Sequence, residues 1–159
     1  MKKLKNILKS IAILCMLVFV VGCGSKAEKL KTKTFVLEKT GVKIELTYYY
    51  NGDMVSKQSA NNSISYDLLK QSLAVKTKEE VIERLKKTSE TYKGIDGIEY
   101  SGEYKETEFI EKLTVDYTKL DYQKAKGIPG IILTGDPKSG ISLSKSEELL
   151  KNQGFTEKK

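Results

Sequence analysis

The stretch from Val42 to Tyr50 alternates without a break. Val42, Ile44, Leu46, Tyr48 and Tyr50 share one parity, and Lys43, Glu45, Thr47 and Tyr49 the other. Strand side chains point to opposite faces with a period of two, so one face meets a core and the other meets water. Asn51-Gly52 follows at once. Both residues tolerate positive φ, which makes this pair the strongest hairpin signal in the chain. The chain is therefore committed to an antiparallel sheet with one buried face. Phe35 and Leu37 begin the same pattern upstream, and Lys39-Thr40-Gly41 reads as the turn between the runs. Asp53 to Ser59 is expected to return as a third strand, with Ala60 to Ser63 as loop.

Thr77-Lys78-Glu79-Glu80 matches a capping box, with Thr77 as N-cap and Glu80 reaching back. The helix it opens is expected to run to about Lys93, with Gly94 ending it. Val81, Ile82, Leu85, Ser89 and Tyr92 form one narrow stripe, and Leu85 is expected to lie fully buried at its centre. Alternation resumes with Ile98, Tyr100 and Tyr104, where Gly102 suggests a bulge, then with Phe109, Leu113, Val115 and Tyr117. The second pair of strands joins near Glu106-Thr107. Tyr122 to Gly130 reads as a helical turn stopped by Pro129, and Gly135 to Gly140 as a loop. A last short helix starts near Ser144 and stops at Gly154, where Phe155 can pack back on Leu150. The fold class is α+β: an antiparallel β-sheet with one main helix packed on it and a short C-terminal helix.

The N-terminus is of another kind. Lys2, Lys3, Lys5 and Lys9 precede an unbroken apolar run from Ile11 to Val21. A helix needs about 20 apolar residues to cross a bilayer, so this run is a secretory signal core and not a permanent span. Val20-Val21-Gly22-Cys23 resembles the bacterial lipobox. Such a box implies a diacylglyceryl group on the Cys23 sulfur and cleavage between Gly22 and Cys23. Two acyl chains hold a protein stably where one holds it only marginally. Residues 1–22 are thus the signal, residues 23–33 a polar tether (lysine-rich from Gly24 to Lys33), and residues 34–159 a single domain. The expected location is the outer, extracytoplasmic face of the cell membrane.

Composition then removes whole classes of chemistry. The chain has no His and no Trp, and its two cysteines are Cys15 in the signal and Cys23. Histidine-dependent acid/base work, Ser-His-Asp or Cys-His nucleophiles and ordinary zinc sites are excluded. Residues 1–22 carry four lysines and no acid, so cleavage lowers the formal charge from +7 to +3. That weakens any nucleic-acid reading. Of 28 basic residues only Arg84 is arginine, the residue favoured for bidentate gripping of phosphate or carboxylate.

The landmarks also have a familiar order. A lipobox is followed by TFVLEKTGVKIELTYYYNGDMVSKQ, the TKEEV helix, YKGIDGIEYSGEY, KLTVDYTKLD, GDPKSGISL and a closing LLKNQGF. This resembles the YehR-like family of small bacterial lipoproteins, over essentially the whole mature domain. The resemblance implies an α+β domain anchored at the surface. The family's function is not established, and it supplies no catalytic residues to carry over.

Some motifs invite a sharper reading. Ser142-Leu143-Ser144-Lys145, Ser59-Ala60-Asn61 and Lys39-Thr40-Gly41 match the three motifs of penicillin-recognising serine enzymes, but in reversed order and in too short a chain. They read as a helix start and two loops. Gly135 to Gly140 has phosphate-loop spacing but is followed by Ile141-Ser142, without the lysine that reaches the β- and γ-phosphates. Asp96, Asp116, Asp121 and Asp136 sit at turns or exposed positions, and no EF-hand loop occurs. No catalytic, cofactor or metal residue is assigned. Tyr48, Tyr50, Tyr100, Tyr104 and Tyr117 fall on inner faces, as core or as the lining of a cleft. Tyr49 points outward and is a candidate ligand or partner contact.

The expectation is a monomeric, non-enzymatic binding or accessory module, tied to the membrane by its lipid. It has no cofactor and no nucleic-acid partner, and its protein partner or small ligand is unnamed. A small-ligand receptor with a tyrosine-lined cleft is the first alternative. A hydrolase using carboxylates alone is the second.

Overall fold

In the computed structural model the described residues are 30–126, 128 and 140–159. Among them seven strands form one antiparallel sheet: β1 (Lys31–Lys39), β2 (Val42–Asn51), β3 (Met54–Ser65), β4 (Ile98–Tyr104), β5 (Glu108–Asp116), β6 (Ile141–Ser142) and β7 (Thr156–Glu157). The order across the sheet is β4-β5-β3-β2-β1-β7, and β6 pairs with the first residues of β3. The helices are α1 (Tyr66–Leu73), α2 (Lys78–Glu90), α3 (Tyr122–Ala125) and α4 (Leu143–Asn152). The fold is α+β, as the alternation and the capping signals imply.

Register turns the alternation into a core. One transverse row aligns Phe35, Leu46, Ala60, Leu113 and Tyr100; another aligns Val42, Ile64, Phe109 and Tyr104. All lie buried or packed against the buried cluster. The opposite face carries Thr34, Thr47, Ser59 and Thr114 in one row, with the Thr34 and Thr47 hydroxyls 2.9 Å apart. An antiparallel sheet can leave such a face to water.

Local chemistry fixes the helix ends. Thr77 Oγ1 accepts from the Glu80 amide at 3.2 Å, and Glu80 Oε2 accepts from the Thr77 amide at 3.0 Å, completing the expected box. At the end of α4, the Gly154 amide donates to Lys151 O and the Phe155 amide to Leu150 O, at 3.0 and 2.9 Å. Gly154 takes a φ of +92°, and Leu150 and Phe155 are both buried. That is the Schellman ending read from the sequence.

Several expectations need correction. Strand β1 begins at Lys31, so the last three residues of the expected tether are strand. Lys33 is an anchor, with its Nζ 2.6 Å from Glu147 of α4 and 3.3 Å from Glu157 of β7. The third strand runs to Ser65, so Ala60 to Ser63 is not a loop. Helix α1, unforeseen, is capped by the Ser65 hydroxyl and ended by Ala74 at a φ of +52°. The β4–β5 register runs without a shift, so Gly102 is no bulge; the irregularity lies instead between Tyr49 and Tyr50.

Leu85 is only partly buried, and the fully buried residue of its helix is Val81. The reason is position. Helix α2 rests on α1 and on edge strand β4, so its later turns overhang the sheet margin.

Candidate functional site

Two polar side chains share a transverse row of the inner face: Asn62 of β3 and Glu111 of β5, directly opposite each other. The row continues through Ile44 and Leu37 on one side and Gly102 on the other. Asn62 is 4% exposed. Its Nδ2 donates to Glu111 Oε2 at 2.9 Å. Its Oδ1 is buried and has no hydrogen-bond partner. An unpaired buried acceptor costs about 1–3 kcal/mol, so it marks a place where a donor is wanted.

Gly102 shapes this end of the row. A side chain there would stand 2.9 Å from the Phe109 ring and 3.4 Å from the Tyr100 hydroxyl. The glycine therefore leaves the space into which Phe109 and the Tyr100 hydroxyl reach. The Tyr100 ring stacks on Tyr92, with centroids 4.7 Å apart and planes at 13°. The two rings lie on each other, which leaves no gap between them for a flat ligand.

The electrostatics follow from burial. Glu111 is half-buried, and burial raises its carboxyl above the usual range, against the opposing pull of hydrogen bonds from Asn62 and Tyr100. Burial, with the Glu111 charge second, pushes Tyr92 up to about 12 and Tyr100 higher still. No lysine or arginine among the described residues forms an ion pair with Glu111. A second buried amide behaves differently: Gln58 Oε1 accepts from the Tyr117 hydroxyl at 3.0 Å. The two inner-face amides thus separate into a satisfied one and an unsatisfied one.

The residues singled out from sequence sit as follows. Tyr48 and Tyr117 are core, while Tyr50, Tyr100 and Tyr104 pack at its margin. Tyr49 is half-buried on the outer face, with Lys57 Nζ 5.0 Å from its ring centroid. Gly22 and Cys23, like the signal and the start of the tether, lie outside the described residues, as do Pro129, Gly130 and Gly135 to Ser139.

Ser142 is the N-cap of α4 and donates to Asp53 Oδ2 at 2.6 Å, while the Ser144 amide donates to Asp53 Oδ1 at 2.8 Å. Ser59-Ala60-Asn61 is strand and not loop. Asp116 and Asp121 bind nearby backbone amides. No group of three or more acids or thiols that could hold a metal occurs among the described residues. Asn62 and Glu111 escaped the sequence reading. A signal is present: Glu111 is the polar residue among Phe109, Leu113 and Val115 on the inner parity of β5, and Asn62 shares the inner parity of β3 with Gln58, Ala60 and Ile64.

The comparisons with known proteins agree with this fold. The chain is 45% identical over 157 residues to an uncharacterised lipoprotein, Lin0239, of Listeria innocua, covering 99% of this chain and 98% of that protein. It is 36% identical over 156 residues to the uncharacterised lipoprotein YehR of Escherichia coli, covering 97% of each. The NMR structure of E. coli YehR superimposes with a TM-score of 0.64 at 34% identity, over 83% of this chain and 93% of that one. An NMR structure of a Streptococcus pneumoniae protein shares the fold, with a TM-score of 0.58 at 20% identity over 91% and 94% of the two chains. Residues 31–156 match the family described as a protein of unknown function, DUF1307. The chain belongs to that family, whose relatives here are lipoproteins.

Proposed function

We propose that the mature chain is a non-enzymatic binding module, held on the outer face of the cell membrane by lipid on Cys23, and that it meets a small ligand at the Asn62–Glu111 pair. The observation that carries this reading is the buried Asn62 Oδ1, which among the described residues has no donor, beside a half-buried carboxylate with no cation partner. Tethering keeps such a receptor where small solutes pass the membrane. The hydrolase alternative needs a second carboxylate near the first. The groups that hydrogen-bond to Glu111 are instead an amide and a phenol, which favours binding over bond cleavage.

The test is NMR observation of the full-length, detergent-extracted lipoprotein against a panel of amines, polyols, sugars and carboxylic acids. Saturable shifts at Asn62, Tyr100 and Glu111 with an unaltered ligand are expected. Turnover of a panel member, or a panel that leaves those resonances still, counts against the reading.

A further inference from the structure

The two edges of the sheet differ. At one edge, β1 is covered by β7 at Phe35 and Val36, its Thr34 carbonyl accepts from the Lys158 amide at 2.9 Å, and it carries Lys31, Lys33 and Lys39. Lysines and a covering element are common means of blunting an edge. At the other edge, β4 has neither. Its seven residues, Ile98–Tyr104, hold no lysine and no proline. They pair with β5 without a register shift, so no bulge twists the edge away. Backbone bonds at both ends of that ladder set its phase: the Asp116 amide donates to Gly97 O at 2.8 Å and the Lys105 amide to Glu108 O at 3.0 Å. Hydrogen-bonded pairs alternate along an antiparallel ladder. Glu99, Ser101 and Glu103 therefore turn their backbone groups to β5, and Tyr100, Gly102 and Tyr104 turn theirs to the open side. No strand among the described residues lies beyond β4 to receive them. On the inner side of this edge Tyr100 stacks on Tyr92, and Lys86 Nζ lies 5.8 Å from the Tyr104 ring centroid. On the outer side Glu99, Ser101 and Glu103 are all exposed. Glu103 meets Lys105 at 2.5 Å, and Glu99 forms no ion pair among the described residues.

We infer that β4 is a docking edge, which takes an extended, lysine-bearing segment of a partner protein as an added strand. The inference goes beyond the Asn62–Glu111 reading and does not depend on it. In strand addition the main chain gives affinity and alternate side chains give specificity. Tyr100, Gly102 and Tyr104 supply the main-chain donors and acceptors. Glu99 and Glu103 supply the choice of partner. They stand on one face, about 13 Å apart along the strand. Lysines four residues apart in an extended partner therefore meet both carboxylates at once. Opposite charges directly across a ladder stabilise it, and like charges destabilise it. An acidic segment is turned away by this rule. A second β4 brings two glutamates and no lysine, so it fits poorly for the same reason. A helix fits no better, because its amides are already bonded to its own carbonyls.

Amide hydrogen exchange read by NMR on the full-length, detergent-extracted chain provides the test. The probe is the peptide acetyl-Thr-Lys-Thr-Val-Thr-Lys-Thr-amide. One control carries glutamate in place of both lysines. A second is the lysine peptide N-methylated throughout, which cannot donate to the edge. In the free protein the Ser101 and Glu103 amides are expected to exchange slowly, and those of Tyr100, Gly102 and Tyr104 fast. The lysine peptide is expected to bind saturably and to slow those three amides at least tenfold. The glutamate peptide is expected to bind about tenfold more weakly, and the N-methylated one to protect none of the three. Glu99→Lys combined with Glu103→Lys changes two exposed positions and is expected to reverse the preference between the lysine and glutamate peptides. Equal binding of those two peptides, an unchanged preference in the double variant, or no binding at all overturns the inference. Slow exchange at Tyr100, Gly102 and Tyr104 in the free protein also overturns it, and sedimentation then separates a second copy from another part of the chain as the occupant.

Discussion

Asn62 donates a hydrogen bond to Glu111 at 2.9 Å across the β3–β5 ladder, on the face where their strands otherwise present Ile64, Ala60, Phe109 and Val115 to the core. Polar pairs inside a sheet are conformationally demanding, because each unmet group costs more than a surface one. This pair leaves a carbonyl unmet. The predictions below follow from that imbalance and from the way the helices meet the sheet.

Glu111 ties stability to pH. Its folded-state carboxyl titrates above its usual value because of burial. The sign is that of a raised pKa: its contribution is intact below the unfolded-state value of about 4.3 and is lost as pH rises through the folded one. Glu111→Gln is therefore expected to raise the denaturation midpoint at pH 7 relative to wild type, with the gain vanishing near pH 4. Denaturant melts at the two pH values check this.

Gly102 makes room for the Phe109 ring and the Tyr100 hydroxyl by its missing side chain. Gly102→Ala sets a Cβ 2.9 Å from two carbons of the Phe109 ring. Overpacking of this kind costs roughly 1–3 kcal/mol. It is also expected to turn the Tyr100 hydroxyl away from Glu111, read as a shift of the Tyr100 ring resonances. Gly52→Ala is the contrast. Nothing lies within 4 Å of that position, but its φ of +59° disfavours a side chain, so stability falls while the Tyr100 resonances stay.

Helix α2 gives an orientation test. Val81 is fully buried, Leu85 partly and Lys86 exposed. Val81→Ala is expected to cost about 2 kcal/mol, and Lys86→Ala less than about 0.5 kcal/mol. Per carbon removed, Leu85→Ala should cost less than Val81→Ala. Urea melts of the three variants rank them, and a larger loss at Lys86 would reverse the assigned face.

The anchor makes its own prediction. Cys23→Ala is expected to abolish both acylation and cleavage between Gly22 and Cys23. Intact-mass measurement on detergent-extracted protein reads both, with wild type beginning at Cys23 and carrying acyl mass.

How much of this was legible in the sequence depends on the element. The Val42 to Tyr50 run, the Thr77 box and the Gly154-Phe155 ending each carry a short-range signal with one physical meaning, and each sits where it points. The hairpin expected at Asn51-Gly52 forms one residue further on: Asn51 ends β2 and pairs with Met54, so Gly52 and Asp53 make the turn and only Gly52 takes a positive φ. Strand β3 was cut short because Gln58 and Asn62 interrupt its apolar parity. The partners that justify them, Tyr117 and Glu111, lie 59 and 49 residues away. Helix α1 has no glycine stop, since Ala74 takes the left-handed conformation itself. Leu85 is less buried than its stripe implies, because periodicity gives a helix face and says nothing of how far the sheet extends beneath it. The Asn62–Glu111 pair is hidden for the same reason as β3: it is made by strand register, and register is long-range.

The most direct measurement is an NMR titration of the Glu111 side-chain carboxyl in the full-length lipoprotein, in wild type and in Asn62→Ala. The account predicts an apparent pKa above those of exposed glutamates, raised further when the Asn62 hydrogen bond is removed. A Glu111 that titrates like an exposed glutamate, or one that ignores the loss of Asn62, would contradict it.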